Sequence, residues 1–361
     1  MPARDGNIGK SIARRAIAAL LALGLAATAA YAEPLTVSAE PPDADKRAAF
    51  NSRWDVFLEG EIDAGAAERV AQELAAIGGD GADVYVDSPG GNLFAGMQIG
   101  GLLRRIGATI TVGKSGTRTS KIEPGNCFSA CSLLFLGGVY RYMPDGSVFG
   151  VHRVSTTAAQ SERDFDSGQI VSAGIAGYIK EMGVDAGFFD RMVRAGRNQI
   201  YVLNAEELRS LRVVNNGRQP AEWSTESSIR GQNLVGAQQT AGGSGKAIFS
   251  CHNGVVTLRS LYEAGANAAL VAAGQWTHQL LIDDQPLALD PPSAIADANG
   301  IVDALFVLSP EQAGRIAAAS SVGHAMQGSR NDAASLGYRI DIDAAAAKRV
   351  RGFMEFCAAS R

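Results

Sequence analysis

In the stretch Gly125–Gly138, GNCFSACSLLFLGG, Ser129 lies midway between two cysteines, Cys127 and Cys131, and after Ser132 the chain runs apolar to a glycine pair. A serine opening an apolar segment of this length reads as the start of a buried helix over Ser129–Leu136. Two roles suit it. As a helix N-cap it satisfies a free backbone N–H for structural reasons alone. As a nucleophile it stands beside N–H groups that receive a developing oxyanion.

Upstream, the chain alternates between two periodicities. WDVFLEGEI, ADVYVDS and ATITV read as strands, separated by helices over Ala64–Ile77 and Leu93–Ile106. Ala67, Val70, Leu74 and Ile77 share one helical stripe. Strand, helix, strand, helix, strand means an α/β fold with stacked crossovers. Gly113–Asn126, GKSGTRTSKIEPGN, reads as a polar loop leading into the serine stretch. Downstream, SVFGV is a strand ending at His152, followed by helices over Glu162–Met182 and Ala186–Arg194 and a short strand at Ile200–Leu203. Asn204 with Glu207 forms a capping-box helix start.

DSPGGN, Asp87–Asn92, sits where a strand hands over to a helix. Gly90 and Gly91 let the backbone approach a ligand, and free N–H groups point outward at the helix start. An ordinary tight turn has the same composition. His152 equally suits a surface position at a strand end. Singly, each element has a plain structural explanation. Together and in order, SPGGNLFAGM, SACSLLFLGG and RYMPDGSVFGVH resemble the proteolytic subunit of Clp protease, and more closely exported Clp-protease-like proteins.

The resemblance covers Trp54–Asn215 and implies a ClpP/crotonase-type ββα superhelix. Carried over residue by residue, it makes Ser129 the nucleophile and His152 its general base. The N–H of Ala130 and that of Gly90, or of Gly91 beside it, become the oxyanion hole. It implies a peptide or protein substrate and no cofactor, and it leaves homo-oligomer formation open. The serine-to-histidine interval is slightly shorter than is usual in the family, and the loss falls after Gly138. The family's aspartate position falls on Asn198 or Gln199, and neither carries charge. Asp185 and Asp190 are nearby acids in sequence. The Gly113–Asn126 loop resembles an insertion. A lysine base, as in signal peptide peptidases, fits poorly because Lys114 and Lys121 both lie in that loop.

Arg4, Lys10, Arg14 and Arg15, the apolar run Ala16–Ala30 and the small-x-small site Ala30-Tyr31-Ala32 read as a cleavable leader over residues 1–32. Residues 33–53 then read as a mobile arm, 54–217 as the Clp-like domain, and 218–361 as a β-rich domain closed by a helix at Ala344–Ala358. The expected location is periplasmic or secreted, with no membrane span after cleavage. Export argues against acyl-CoA chemistry, whose cofactor is intracellular. The net charge of −4 becomes about −7 once the leader's +3 is removed, so nothing electrostatic favours nucleic acid. No cysteine or histidine spacing suits a metal site, and His252, His278 and His324 read as structural or surface residues.

An oxidising compartment allows two disulfides from four cysteines. Cys251 with Cys357 is the expected pair in the second domain. Cys127 and Cys131 either bond to each other, pinning the loop end, or stay as thiols, or pair elsewhere. The expected function is an exported serine peptidase cleaving peptide or ester bonds. The alternative is a Clp-like scaffold that binds an envelope or protein partner.

Overall fold

A computed structural model describes residues 33–42, 53–78, 81–116, 122–153, 162–196, 199–228, 231–274, 276–283, 285–328 and 335–360. The leader expected over residues 1–32 lies outside these residues.

The first half is α/β. β1 (Thr36–Glu40), β2 (Trp54–Glu59), β3 (Ala82–Asp87), β4 (Thr109–Ser115) and β5 (Ile122–Pro124) line up in that order. β6 (Asn126–Phe128) leaves this sheet, and β7 (Tyr140–Tyr142) rejoins it beside β4. β2, β3, β4 and β7 are parallel, because α1 (Ala66–Ala76), α2 (Leu93–Arg105) and α3 (Ala130–Leu136) form the crossovers between successive strands. β8 (Val148–Val151) pairs with β6 in a second, three-stranded sheet completed by β9 (Tyr201–Val202). α4 (Glu162–Glu181), α5 (Gly187–Arg194) and α6 (Ala205–Ser210) cover the remainder. The Asn204–Glu207 capping box opens α6 as the spacing predicts.

α2 and α3 cross with their backbones nearly touching. A β-carbon on Gly137 would fall 2.2 Å from the carbonyl oxygen of Gly100, so only glycine fits. That approach fixes α3, and Ser129 at its head, against the main sheet.

Two expectations need correction. Residues 33–53 are not all a mobile arm: Thr36–Glu40 pairs antiparallel with β2, and Leu35 is buried. The polar, proline-bearing composition hides an edge strand whose ladder bonds need no apolar run. The Gly113–Asn126 loop is also partly a strand pair, since Gly113–Ser115 pairs with Ile122–Pro124.

The second half is strand-dominated. β10 (Glu222–Ser228), β11 (Gly231–Thr240), β12 (Gly243–His252), β13 (Val255–Glu263), β14 (Trp276–Ile282), β15 (Gln285–Ala288), β16 (Ala294–Ala298), β17 (Ile301–Val307), β18 (Ser321–Gly328) and β19 (Ser335–Asp341) form two antiparallel sheets. α7 (Ala268–Ala273), α8 (Pro310–Ala317) and α9 (Ala344–Ala359) accompany them. Phe306 of one sheet packs on His278 and His324 of the other. One apolar core runs from Leu35 to Val214 and a separate one from Trp223 to Cys357. Both disulfides form: Cys251–Cys357 ties β12 to α9, and Cys127–Cys131 ties β6 to α3. Among the described residues, no helix is long and apolar enough to cross a membrane.

Candidate active site

Ser129 and His152 lie 23 residues apart and meet through one sheet. β6 and β8 run parallel with Phe128 opposite Gly150, and the Ser129 N–H donates to the Gly150 carbonyl at 3.1 Å. Ser129 leaves the end of β6, while His152 leaves the end of β8 one residue beyond Val151. The two side chains therefore emerge together. Ser129 Oγ and His152 Nε2 are 2.7 Å apart.

The imidazole's other nitrogen fixes its tautomer. Nδ1 lies 3.0 Å from the carbonyl oxygen of Arg153, which can only accept. A proton therefore resides on Nδ1, which in the uncharged ring leaves Nε2 to accept from the serine hydroxyl. The Arg153 side chain is itself held, donating from Nε to the Val193 carbonyl at 3.0 Å in the last turn of α5.

Ser129 occupies the N-cap position of α3 but does not cap it. Its φ of 58° and ψ of −121° lie outside the ordinary regions for an L-residue, and its side chain makes no capping bond. The helix start is closed by Ser132, whose N–H and hydroxyl both donate to the Ser129 carbonyl. The turn throws the Ser129 hydroxyl toward His152. Sequence reading located the serine but missed this backbone strain, because nothing local encodes a left-handed serine.

The glycine turn is stitched to the same strand. Ser88 and Cys127 form a bridge, with the Ser88 N–H on the Asn126 carbonyl and the Phe128 N–H on the Ser88 carbonyl. The Gly90 N–H donates to Ser88 Oγ at 3.1 Å. The N–H groups of Gly91 and Ala130 meet no acceptor among the described residues. Gly90 packs directly on the serine turn, with its β-position 3.1 Å from the Ala130 nitrogen. The arrangement offers a hydroxyl, an imidazole nitrogen within hydrogen-bond distance of it, and free backbone donors at the head of a buried helix.

The disulfide brackets this turn. Cys127 and Cys131 are both fully buried, so the bond joins strand and helix on either side of Ser129.

The expected third member is not assembled from the residues named for it. Asn198 lies outside the described residues. Gln199 is exposed on a cleft it shares with Arg191, Arg194 and Tyr201, and the hydrogen bonds of the His152 ring go to Ser129 and Arg153 instead. Asp185 accepts from the Gly187 N–H at 2.9 Å and faces Arg212 rather than the imidazole. The position behind His152 is taken by the Arg153 carbonyl, a partner that a search for side-chain acids passes over.

Residues 42–170 match the family model described as Clp protease, a span that includes the glycine turn, Ser129 and His152. The chain is Clp-protease-like over that segment. No curated protein matches the chain. Among solved structures, a mutant of the 1510-N membrane-bound stomatin-specific protease aligns at 18% identity with a TM-score of 0.33, covering 44% of this chain and 75% of that one.

Proposed function

We propose that the protein is an exported serine peptidase that cleaves peptide bonds in protein substrates with a Ser129–His152 dyad. The observation that carries this reading is the 2.7 Å contact from Ser129 Oγ to His152 Nε2, made by a serine held at φ 58°. Serine is a weak nucleophile until a base takes its proton. His152 Nε2 takes it as Oγ attacks the scissile carbonyl. The oxyanion is received by the N–H of Ala130 together with that of Gly91, since the Gly90 N–H is held by Ser88 Oγ. The imidazolium then returns its proton to the leaving amine, and water repeats the sequence on the acyl-enzyme. The Arg153 carbonyl orients the ring and leans on the cation with a dipole rather than a full charge, so turnover is slower than with a carboxylate. Exposed Tyr201 and Val202 on β9, the edge strand of the same sheet, with Ile200 just before them, supply apolar surface for an extended peptide.

The same reading takes residues 54–217 as a ClpP/crotonase-type superhelix, residues 218–361 as a separate β-rich domain, and residues 1–32 as a leader that directs the chain to the periplasm or outside the cell. A second reading keeps the fold as a binding scaffold. It is favoured by the lack of any carboxylate at His152 Nδ1 among the described residues. Fluorophosphonate labelling decides between them. The peptidase reading expects Ser129 to be labelled, with label lost in Ser129→Ala and His152→Ala. Wild-type protein that stays unlabelled from about pH 6 to 9 would leave only the scaffold.

A further inference from the structure

Between the two apolar cores lies a cleft of about 600 Å³ whose charges do not balance. Arg141, Lys180, Arg209, Arg212 and Arg218 line it, against only Asp341 and Asp343. Arg218 is neutralised by Asp341, donating from Nη2 at 2.6 Å and from Nε at 3.1 Å. Arg212 comes no nearer than 4.0 Å to Asp185. Lys180 and Arg209 meet no carboxylate among the described residues.

Arg141 sharpens the imbalance. It is 3% exposed, and four of its five N–H groups donate to backbone carbonyls: Nε to Val213, Nη1 to Leu136 and Gly138, and Nη2 to Arg212. Carbonyls orient a guanidinium but do not neutralise it. Arg104 donates to the same Leu136 carbonyl, and its own Nε is buried without a partner among the described residues. Burial, and then repulsion from Arg104 and Arg212, lower the Arg141 pKa to about 9. A buried cation lacking a counter-charge is costly unless something else supplies the anion.

We propose that this cleft binds a phosphate-type oxyanion carrying two or more negative charges. The amides around it are already committed: Asn215 and Gln219 donate to the Val139 carbonyl, and Gln238 donates to the Gln219 carbonyl. The donors left to meet a ligand are cationic. They come from different elements, with Lys180 in the last turn of α4, Arg209 in α6 and Arg212 in the turn that follows. A tetrahedral oxyanion presents oxygens in several directions at once, which suits donors so dispersed better than a planar carboxylate does. The far wall, Arg218, Gln238 and Asp341, belongs to the strand-dominated half. An occupant therefore bridges the two cores.

The test is calorimetric titration of the chain lacking residues 1–32 with pyrophosphate, at ionic strength held constant with sodium chloride. Saturable binding with a dissociation constant of about 0.1 mM or tighter is expected, with a rise in Tm. Lys180→Gln with Arg209→Gln, both exposed, should weaken binding at least about tenfold and leave the unliganded circular dichroism spectrum and urea midpoint unchanged. Absence of saturable binding, or equal binding by the double variant, overturns the site. Vesicles of phosphatidylcholine with phosphatidic acid then distinguish the ligand's source. Co-sedimentation reversed by pyrophosphate assigns a lipid headgroup, and pyrophosphate binding without co-sedimentation assigns a free phosphate compound.

Discussion

Gly90 lies so close to Ser129 that a β-carbon on the glycine would fall 2.6 Å from the serine's own Cβ, and 2.6 Å from the Phe128 carbonyl oxygen. The glycine turn and the serine turn are thus one packed unit, and neither moves without the other. Gly90 also sits at φ +100°, where an L-residue is strained. Gly90→Ala should lower the fluorophosphonate labelling rate by about 100-fold, because displacements of an ångström at such a site cost that much. Overpacking adds about 2 kcal/mol of destabilisation, read from the urea midpoint. Wild-type labelling by this variant would show that the turn yields without disturbing Ser129.

Substitutions at Ser129 separate chemistry from stability. The side chain makes no capping bond, so Ser129→Ala removes only the contact to His152. Labelling should vanish while stability changes by less than about 1 kcal/mol. Ser129→Gly relieves the left-handed backbone and should be more stable than Ser129→Ala by roughly 1 kcal/mol, while remaining equally inactive. Paired urea titrations check the order of the two.

The strand-dominated half should be sensitive to acid. His324 is fully buried, accepting from or donating to Ser260 Oγ at 2.7 Å and His278 Nδ1 at 3.0 Å, with Tyr338 donating to Ser260 behind it. Burial, and then the neighbouring His278, lower the His324 pKa to about 3, and burial also lowers that of His278. Above pH 6.5 both folded and unfolded chains hold these rings neutral. Below it the unfolded chain takes up a proton that the folded chain refuses, so stability falls as pH falls. His324 alone should cost about 2 kcal/mol between pH 6.5 and pH 5. Urea midpoints across that range measure the slope, and His324→Gln, neutral throughout, should flatten it. An unchanged slope in the variant would move the effect elsewhere.

Reduction should act mainly through Cys251–Cys357. That bond closes a separation of 106 residues between β12 and α9. In the chain-entropy view its loss costs about 4.7 kcal/mol, against about 2 kcal/mol for the five-residue loop at Cys127–Cys131. Cys251→Ala with Cys357→Ala should therefore lower the urea midpoint more than Cys127→Ala with Cys131→Ala. The second pair should do more to slow labelling of Ser129, which its disulfide brackets.

The central strands β2, β3 and β4 and the helices α1 and α2 of the first half were readable because each advertises its own period. Alternation marks Ala82–Asp87, an apolar stripe marks Ala66–Ala76, and a capping pair marks the start at Ala205. The order of SPGGN, Ser129 and His152 marked a serine and a histidine that the structure brings to 2.7 Å, and Cys251 and Cys357, both in the second half, pair as expected. β10 and β11 were hidden in a stretch rich in Gly, Gln and Ser, because ladder bonds join backbone groups and need no apolar composition. β1 escaped for the same reason.

What the sequence by itself determined was the set of local elements and the residue types at the site, since propensity and periodicity act within a few residues of chain. Only the tertiary structure decided that Ser129 meets His152, because the meeting depends on β6 lying parallel to β8. It also decided that Ser129 adopts φ 58°, a strain enforced by Gly90, β6 and α3 together rather than preferred by serine. It gave His152 a backbone carbonyl where an acid was expected: every residue carries a carbonyl, and folding alone selects the one from Arg153.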